Sequence, residues 1–167
     1  MNSTRRQTIS AIAATLAAIP LTRLHAQQQA TSEKSAHQSL TAIHYQIDFA
    51  DSPQRLYQAI IDQKQFTVFS GMPATIDPTP GGAFSMFGGQ IVGRNIELVP
   101  NQRIVQAWRP ASWDQGIYSL VHFEFTPRAA ETTLIFDHTS FPIGDYDHLD
   151  WGWHNHYWDP LKKYLSS

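Results

Sequence analysis

The chain has 167 residues, enough for one domain with a hydrophobic core. A hydrophobic content of 42% and a charged content of 16% are those of an ordinary globular protein and exclude a disordered chain. There is no cysteine, which excludes disulfides and thiolate metal sites, and the formal net charge is −2.

The first 26 residues read as an export signal rather than as part of a fold. Arg5 and Arg6 make a basic start, Ile9 to Leu21 is a short apolar core, and Leu24-His25-Ala26 ends on a small residue. The pair Arg5-Arg6 after Ser3-Thr4 resembles a twin-arginine signal, with Thr8 and Ile9 where that motif usually has Phe and Leu. A general secretory signal is the other reading. Both routes lead out of the cytoplasm of a bacterium, so the expected localisation is periplasmic or secreted. Removing this segment leaves nine Lys and Arg against fourteen Asp and Glu, formally −5. The basic residues are scattered, so no nucleic-acid partner is expected. No run is long enough to span a bilayer as a mature helix. Residues 27–40 are polar and aperiodic and read as a flexible linker, which puts the folded domain at 41–167.

Ala42 to Phe49 alternates: Ile43, Tyr45, Ile47 and Phe49 face one way, His44, Gln46 and Asp48 the other, as in a half-buried strand. Ser52 then caps a helix that starts at Pro53, and Leu56, Tyr57, Ile60 and Ile61 form its inner face. A second short helix is predicted from Gln63 to Phe69, stopping at Gly71. Met72 to Gly82 reads as a loop, Phe84 to Phe87 as a short strand, and Gly88-Gly89 as a two-residue hairpin turn into a strand at Gln90 to Leu98. Arg103 to Arg109 is the next strand, with Ile104, Gln106 and Trp108 on one side. Ile117 to Thr126 follows, with Val121, Phe123 and Phe125 on one face and Leu120, His122 and Glu124 on the other. Thr132 to Thr139 is the last strand, with Leu134, Phe136 and His138 sharing a face.

The chain ends in an aromatic stretch, Asp145 to Leu165, that holds three of the five Trp. Leu149, Trp153, Tyr157, Leu161 and Tyr164 recur at steps of three or four, so one face of a helix is apolar. The other carries Asp150, His154, Lys162 and Lys163. Pro160 has no N–H and its ring clashes with the carbonyl four residues back, near His156. A kink, or two short helices meeting at Asp159-Pro160, is expected there.

One strand, two short helices, five antiparallel strands and a long helix make an α+β fold, a curved sheet of about six strands packed around the terminal helix. Such a sheet leaves room for a cavity, a default ligand site.

Several local motifs in the same order resemble the START-like, or SRPBCC, superfamily. Within it they resemble homologues of the C-terminal domain of the heat-shock-protein-ninety ATPase activator. Ala50-Asp51-Ser52-Pro53-Gln54-Arg55-Leu56-Tyr57 is similar to that branch's strand-to-helix opening, and Pro80-Gly81-Gly82-Ala83-Phe84 to its Gly-Gly-x-Phe strand start. Gly93 with Ile96 to Ile104 and Trp108 is similar to its central hairpin. Thr133-x-x-Phe136-x-His138 is similar to its penultimate strand, and Gly152-Trp153 with Leu161 to its terminal helix. The resemblance covers residues 42–165. It implies a helix-grip fold, and a fold of this kind hosts ligand carriers, cyclase-type enzymes and protein-interaction domains alike.

On that fold Phe84, Trp108, Phe123, Phe136, Trp153 and Tyr157 either line a ligand cavity or fill a solid core. Tyr118, His122, His138 and Arg109 are the polar groups expected to give such a cavity specificity. His138 shares a face with Leu134 and Phe136, so it is the candidate acid–base of an enzyme, or else a histidine satisfied in the core by a hydroxyl or backbone group. His154 and His156 are splayed by about 200° on a helix. With His148, Asp150 and Asp159 they do not form a metal set, and neither metal nor cofactor is expected. Three functions remain. The first is an exported, non-catalytic carrier of an apolar or aromatic small molecule. The second is a polyketide-cyclase or dehydrase-like enzyme using His138. The third is a protein-interaction domain with an unknown protein partner.

Overall fold

A computed structural model describes residues 40–167. The export signal at 1–26 and the linker up to residue 39 lie outside the described residues. The described chain runs β1 (Ala42–Phe49), α1 (Pro53–Ile61), α2 (Gln63–Ser70), β2 (Thr75–Ile76), β3 (Ala83–Met86), β4 (Ile91–Val99), β5 (Arg103–Pro110), β6 (Ser119–Arg128) and β7 (Glu131–Thr139). It ends in a helical run made of α3 (Tyr146–Gly152), a π-helical turn (Trp153–Trp158) and α4 (Asp159–Leu165). The sheet has seven strands in the order β1-β7-β6-β5-β4-β3-β2, and every pair is antiparallel. This is the α+β helix-grip architecture.

The local signals act as their chemistry dictates. The Ser52 hydroxyl accepts from the Arg55 N–H at 3.3 Å, and Pro53 occupies the first turn, where its missing N–H leaves no bond unmade. Asp62 serves both short helices: it ends α1 and its carboxylate accepts from the Lys64 and Gln65 amides of α2. Gly71 then stops α2 in the left-handed region at φ 67°.

Four details differ from the sequence reading. A seventh strand exists because Thr75 and Ile76 in the Pro- and Gly-rich loop pair with Ser85 and Phe84. The turn between β3 and β4 is longer than Gly88-Gly89. Met86 pairs with Ile91, so Phe87 to Gln90 turn the chain, and Phe87 itself takes φ 53°. Strand β6 begins at Ser119, after a turn closed by Ile117 N–H onto the Asp114 carbonyl, and runs on to Arg128. The terminal helix neither breaks nor splits at Pro160. It widens just before it: the Asp159 N–H reaches back to the His154 carbonyl, an i→i−5 bond. The wider turn relieves the clash that a proline ring imposes on the carbonyl four residues back. It also turns Tyr157 and Trp158 inward together, 1% exposed each.

The core lies between the concave sheet face and the helices. Ile104, Trp108, Val121, Phe123, Phe125, Leu134 and Phe136 supply the sheet side; Leu56, Phe66, Trp153, Tyr157, Trp158 and Leu161 supply the helical side. Gly93 sits between Phe84 and Trp108 in the sheet register. A Cβ there would come within 2.0 Å of the Ala107 carbonyl and 2.4 Å of the Phe84 ring. Only glycine lets that ring lie across the strand.

Candidate functional site

A cavity of about 580 Å³ opens between the terminal helix and the β3–β5 end of the sheet. Trp108 reaches it from β5, Phe87 and Gln90 from the β3–β4 turn, and Met72 from the segment after α2. Leu149, Trp153 and Tyr157 face it from the helical run, and His148, Trp151 and His156 stand on its helical side. Trp151 is 55% exposed, and its ring meets that of His156 edge-on at 4.9 Å. The segment Pro110 to Ser112 forms the opposite lip. It is held by the Trp113 indole, which donates to the Asp145 carboxylate just before α3. Mostly apolar walls with a few polar groups at the mouth are what a small-molecule pocket requires.

A wider groove of about 700 Å³ lies elsewhere, beside the start of α1 and the ends of β4–β6. Its one basic lining residue, Arg103, is engaged within the protein, holding Glu97 through two bonds of 3.0 and 2.7 Å. It does not lie between sheet and helix and gathers no aromatic wall, so the smaller cavity is the better candidate.

The structure divides the residues singled out from the sequence. Trp108, Trp153 and Tyr157 line the cavity. Phe123 and Phe136 do not. They pack against Trp158 and Trp153, with Phe136 and Trp153 ring centres 4.4 Å apart. Phe84 is buried against Trp108 in the outer part of the sheet. Tyr118 and His122 are not brought to the cavity, and neither is Arg109. Tyr118 precedes β6 and is 47% exposed. His122 alternates with inward Val121 and Phe123, so its ring lies on the convex face 3.8 Å from Asp137, which also holds His44 at 2.7 Å. Arg109 alternates with Trp108 and donates to the Trp113 carbonyl. Strand parity carried this signal already.

His138 is fully buried but does not line the cavity. The Trp153 indole N–H donates to its Nδ1 at 2.9 Å, which fixes the proton on Nε2. Nε2 then donates to the Ser119 hydroxyl at 2.7 Å, and that hydroxyl donates to the Trp108 carbonyl at 3.3 Å. Burial lowers its pKa from 6.5 to about 3. Both ring nitrogens are engaged, and Trp153 stands on the cavity side. This is the second of the two readings the sequence allowed, a core histidine satisfied by a hydroxyl and an indole, and it stands against His138 as an in-pocket acid–base or cavity-lining group.

A second buried chain escaped the sequence reading. The Trp108 indole donates to Gln106, Gln106 donates to Asn95, and Asn95 donates to the Asp77 carbonyl, each at 2.8 Å. Asn95 faces inward beside a register shift between Asn95 and Glu97. The shift lets Asn95 and, three positions on, Leu98 both meet the core. The two chains hold the indoles of Trp108 and Trp153, whose ring centres are 4.6 Å apart. The cavity wall is therefore fixed by hydrogen bonds as well as by packing.

Among the described residues no group of three or more His, Asp or Glu is placed to hold a metal ion. Nor is any helix among them long and apolar enough to cross a membrane.

The model of one protein family, Activator of Hsp90 ATPase homolog 1-like protein, matches residues 50–166. The chain belongs to this family. It is 30% identical over 115 residues to the activator of 90 kDa heat shock protein ATPase homolog 1 of Homo sapiens, covering 69% of this chain and 34% of that protein. A protein of Schizosaccharomyces pombe is 34% identical over 113 residues, covering 67% of this chain and 34% of its own length. The chain thus spans about a third of the length of these curated relatives. Among solved structures, an HSP90 activator from Plasmodium falciparum superposes with a TM-score of 0.72 at 26% identity, covering 76% of this chain and 97% of that one.

Proposed function

We propose that this family member is a non-catalytic binding domain for an apolar or aromatic small molecule. The observation that carries the reading is the 580 Å³ cavity walled by Trp108, Trp153 and Tyr157. A flat ligand can lie against the wall these rings form together, and its burial supplies about 25 cal/mol per Å² of apolar surface removed from water. The buried hydrogen bonds that hold two of the three walls favour a preformed site. Nothing in this reading asks for turnover, because His138 is behind Trp153 with both nitrogens engaged. The reading includes export through residues 1–26, and fractionation of the native cell tests that part: a wholly cytoplasmic pool sinks it.

Native mass spectrometry of the protein from its own compartment tests the binding. A discrete extra mass released on denaturation supports a carrier. If the mass is that of the bare chain and apolar aromatic probes fail to quench its tryptophans saturably, the reading is lost.

A second reading takes its support from the relatives, named as activators of a heat-shock ATPase. On it, this domain accelerates a chaperone ATPase by surface contact. The check is the ATPase rate of a purified chaperone of that class with and without equimolar protein, and no acceleration rejects the idea.

A further inference from the structure

The Tyr157 hydroxyl is buried and has no hydrogen-bond partner. Its ring is part of the cavity wall. Around that ring stand Phe66, Phe69, Phe87, Trp108, Phe123 and Trp153, none of which offers an acceptor in reach. Buried hydroxyls in native proteins almost always find a partner, and an unpartnered one is disfavoured relative to a bare ring. Trp158 also has an unpartnered indole N–H, but it does not line the cavity. Of the two residues only Tyr157 lines the cavity, so its hydroxyl is the one that a ligand entering there can satisfy by displacing part of the wall. Burial raises its pKa well above 10, so it keeps its proton and acts as a donor. Met72 shares the cavity wall, and its unbranched side chain is one that can yield as a ligand enters.

We infer that the ligand is an apolar molecule carrying one hydrogen-bond acceptor, a carbonyl or ether oxygen, which Tyr157 recognises. The inference rests on the binding reading above and names the polar feature that reading leaves open. A pure hydrocarbon of the same shape would fill the cavity and leave the hydroxyl unpartnered. A site built to bond a polar atom discriminates against an analogue that lacks it.

The test compares acetylnaphthalene with isopropenylnaphthalene, which has the same shape with CH₂ in place of the oxygen, by tryptophan quenching of the wild type and of Tyr157→Phe. The wild type is expected to bind the ketone about three- to tenfold more tightly, the range of one net hydrogen bond. Tyr157→Phe is expected to lose that preference and to bind the two probes with equal affinity. Equal affinity of the wild type for both probes overturns the inference and leaves the binding reading intact. Binding of neither overturns both. A second measurement needs no variant: the infrared carbonyl stretch of the ketone bound to the wild type should fall below its value in hexane. An unshifted band rejects the hydrogen bond.

Discussion

The terminal helix meets the sheet in two different ways. Toward β1, β6 and β7 the contact is closed: Phe123, Phe136, Tyr45 and Trp158 interlock, with Trp158 edge-on to Phe136 at 4.9 Å. Toward β3, β4 and β5 the same kinds of ring stand apart around a cavity. Trp153 and Trp158 are stacked at 5.3 Å, yet one belongs to each half. Aromatic content therefore does not distinguish a core from a binding wall. What distinguishes them is whether the facing surface closes. Here the closed half is made by β1, β6 and β7, of eight to ten residues, whereas the open half includes the four-residue β3 and the turn Phe87 to Gln90 after it, which close less of the space above them.

The largest expected effect lies in the closed half. Phe136→Ala removes a fully buried ring that touches Tyr45, Phe123, Trp153 and Trp158. It should lower unfolding stability by about 3–5 kcal/mol. Trp151→Ala at the rim of the open half should change stability by about 0.5 kcal/mol or less and weaken probe binding instead. Urea denaturation and probe titration on the two variants break the comparison if the two losses come out exchanged.

The His138 chain sharpens the comparison through pH. The unfolded chain protonates this ring near its ordinary 6.5, whereas the folded chain resists until about 3. The unfolded state binds more protons in that window, so stability is full above 6.5 and falls as pH drops toward 3. The loss between pH 6.5 and pH 4.5 should reach about 2–3 kcal/mol, at about 1.4 kcal/mol per pH unit. His138→Gln should start less stable, because Trp153 and Ser119 lose their partner, and should show a flatter profile over the same range. Urea midpoints across the range check both the slope and its removal. An unchanged slope in the variant would assign the pH dependence to other groups.

Much of the fold was legible because period and local chemistry agree. The alternation in β1, β5, β6 and β7 gives the correct inward residues, and Ser52-Pro53 and Gly71 mark real helix ends. What was not legible depends on partners distant in sequence. Thr75-Ile76 is too short to show a period, and it is a strand only because β3 lies beside it. Asn95 faces inward beside a shift of register, and no local pattern announces that shift. Gln106 was placed on the inner side but its partners were not visible, since they come from the neighbouring strand and from Trp108. The site was legible in part. Trp108, Trp153 and Tyr157 reach the cavity, whereas Tyr118 and His122 fall on the wrong parity for it. Trp158 was missed because a helical projection at 3.6 residues per turn assumes no π turn.

That π turn gives the most discriminating prediction. It has two possible causes: the ring of Pro160, which forbids an ordinary turn, and the packing of Tyr157 and Trp158, which needs both to face inward. If proline alone were the cause, Pro160→Ala would restore ordinary i→i−4 bonding. The helix before it would then rotate by about 100° relative to α4, the angle of one residue. Trp153 would leave the cavity, and Trp158 would lose its place against Phe136. Those contacts are worth several kcal/mol of buried aromatic surface, more than the one backbone bond regained. The π turn should therefore persist in Pro160→Ala. Stability should shift by about 1 kcal/mol or less, as the regained N–H and the freer unfolded chain oppose each other. The near-UV circular dichroism of the stacked indoles should stay as in the wild type. A collapse of that signal together with loss of probe binding would show that the proline, and not the packing, holds the open half in shape.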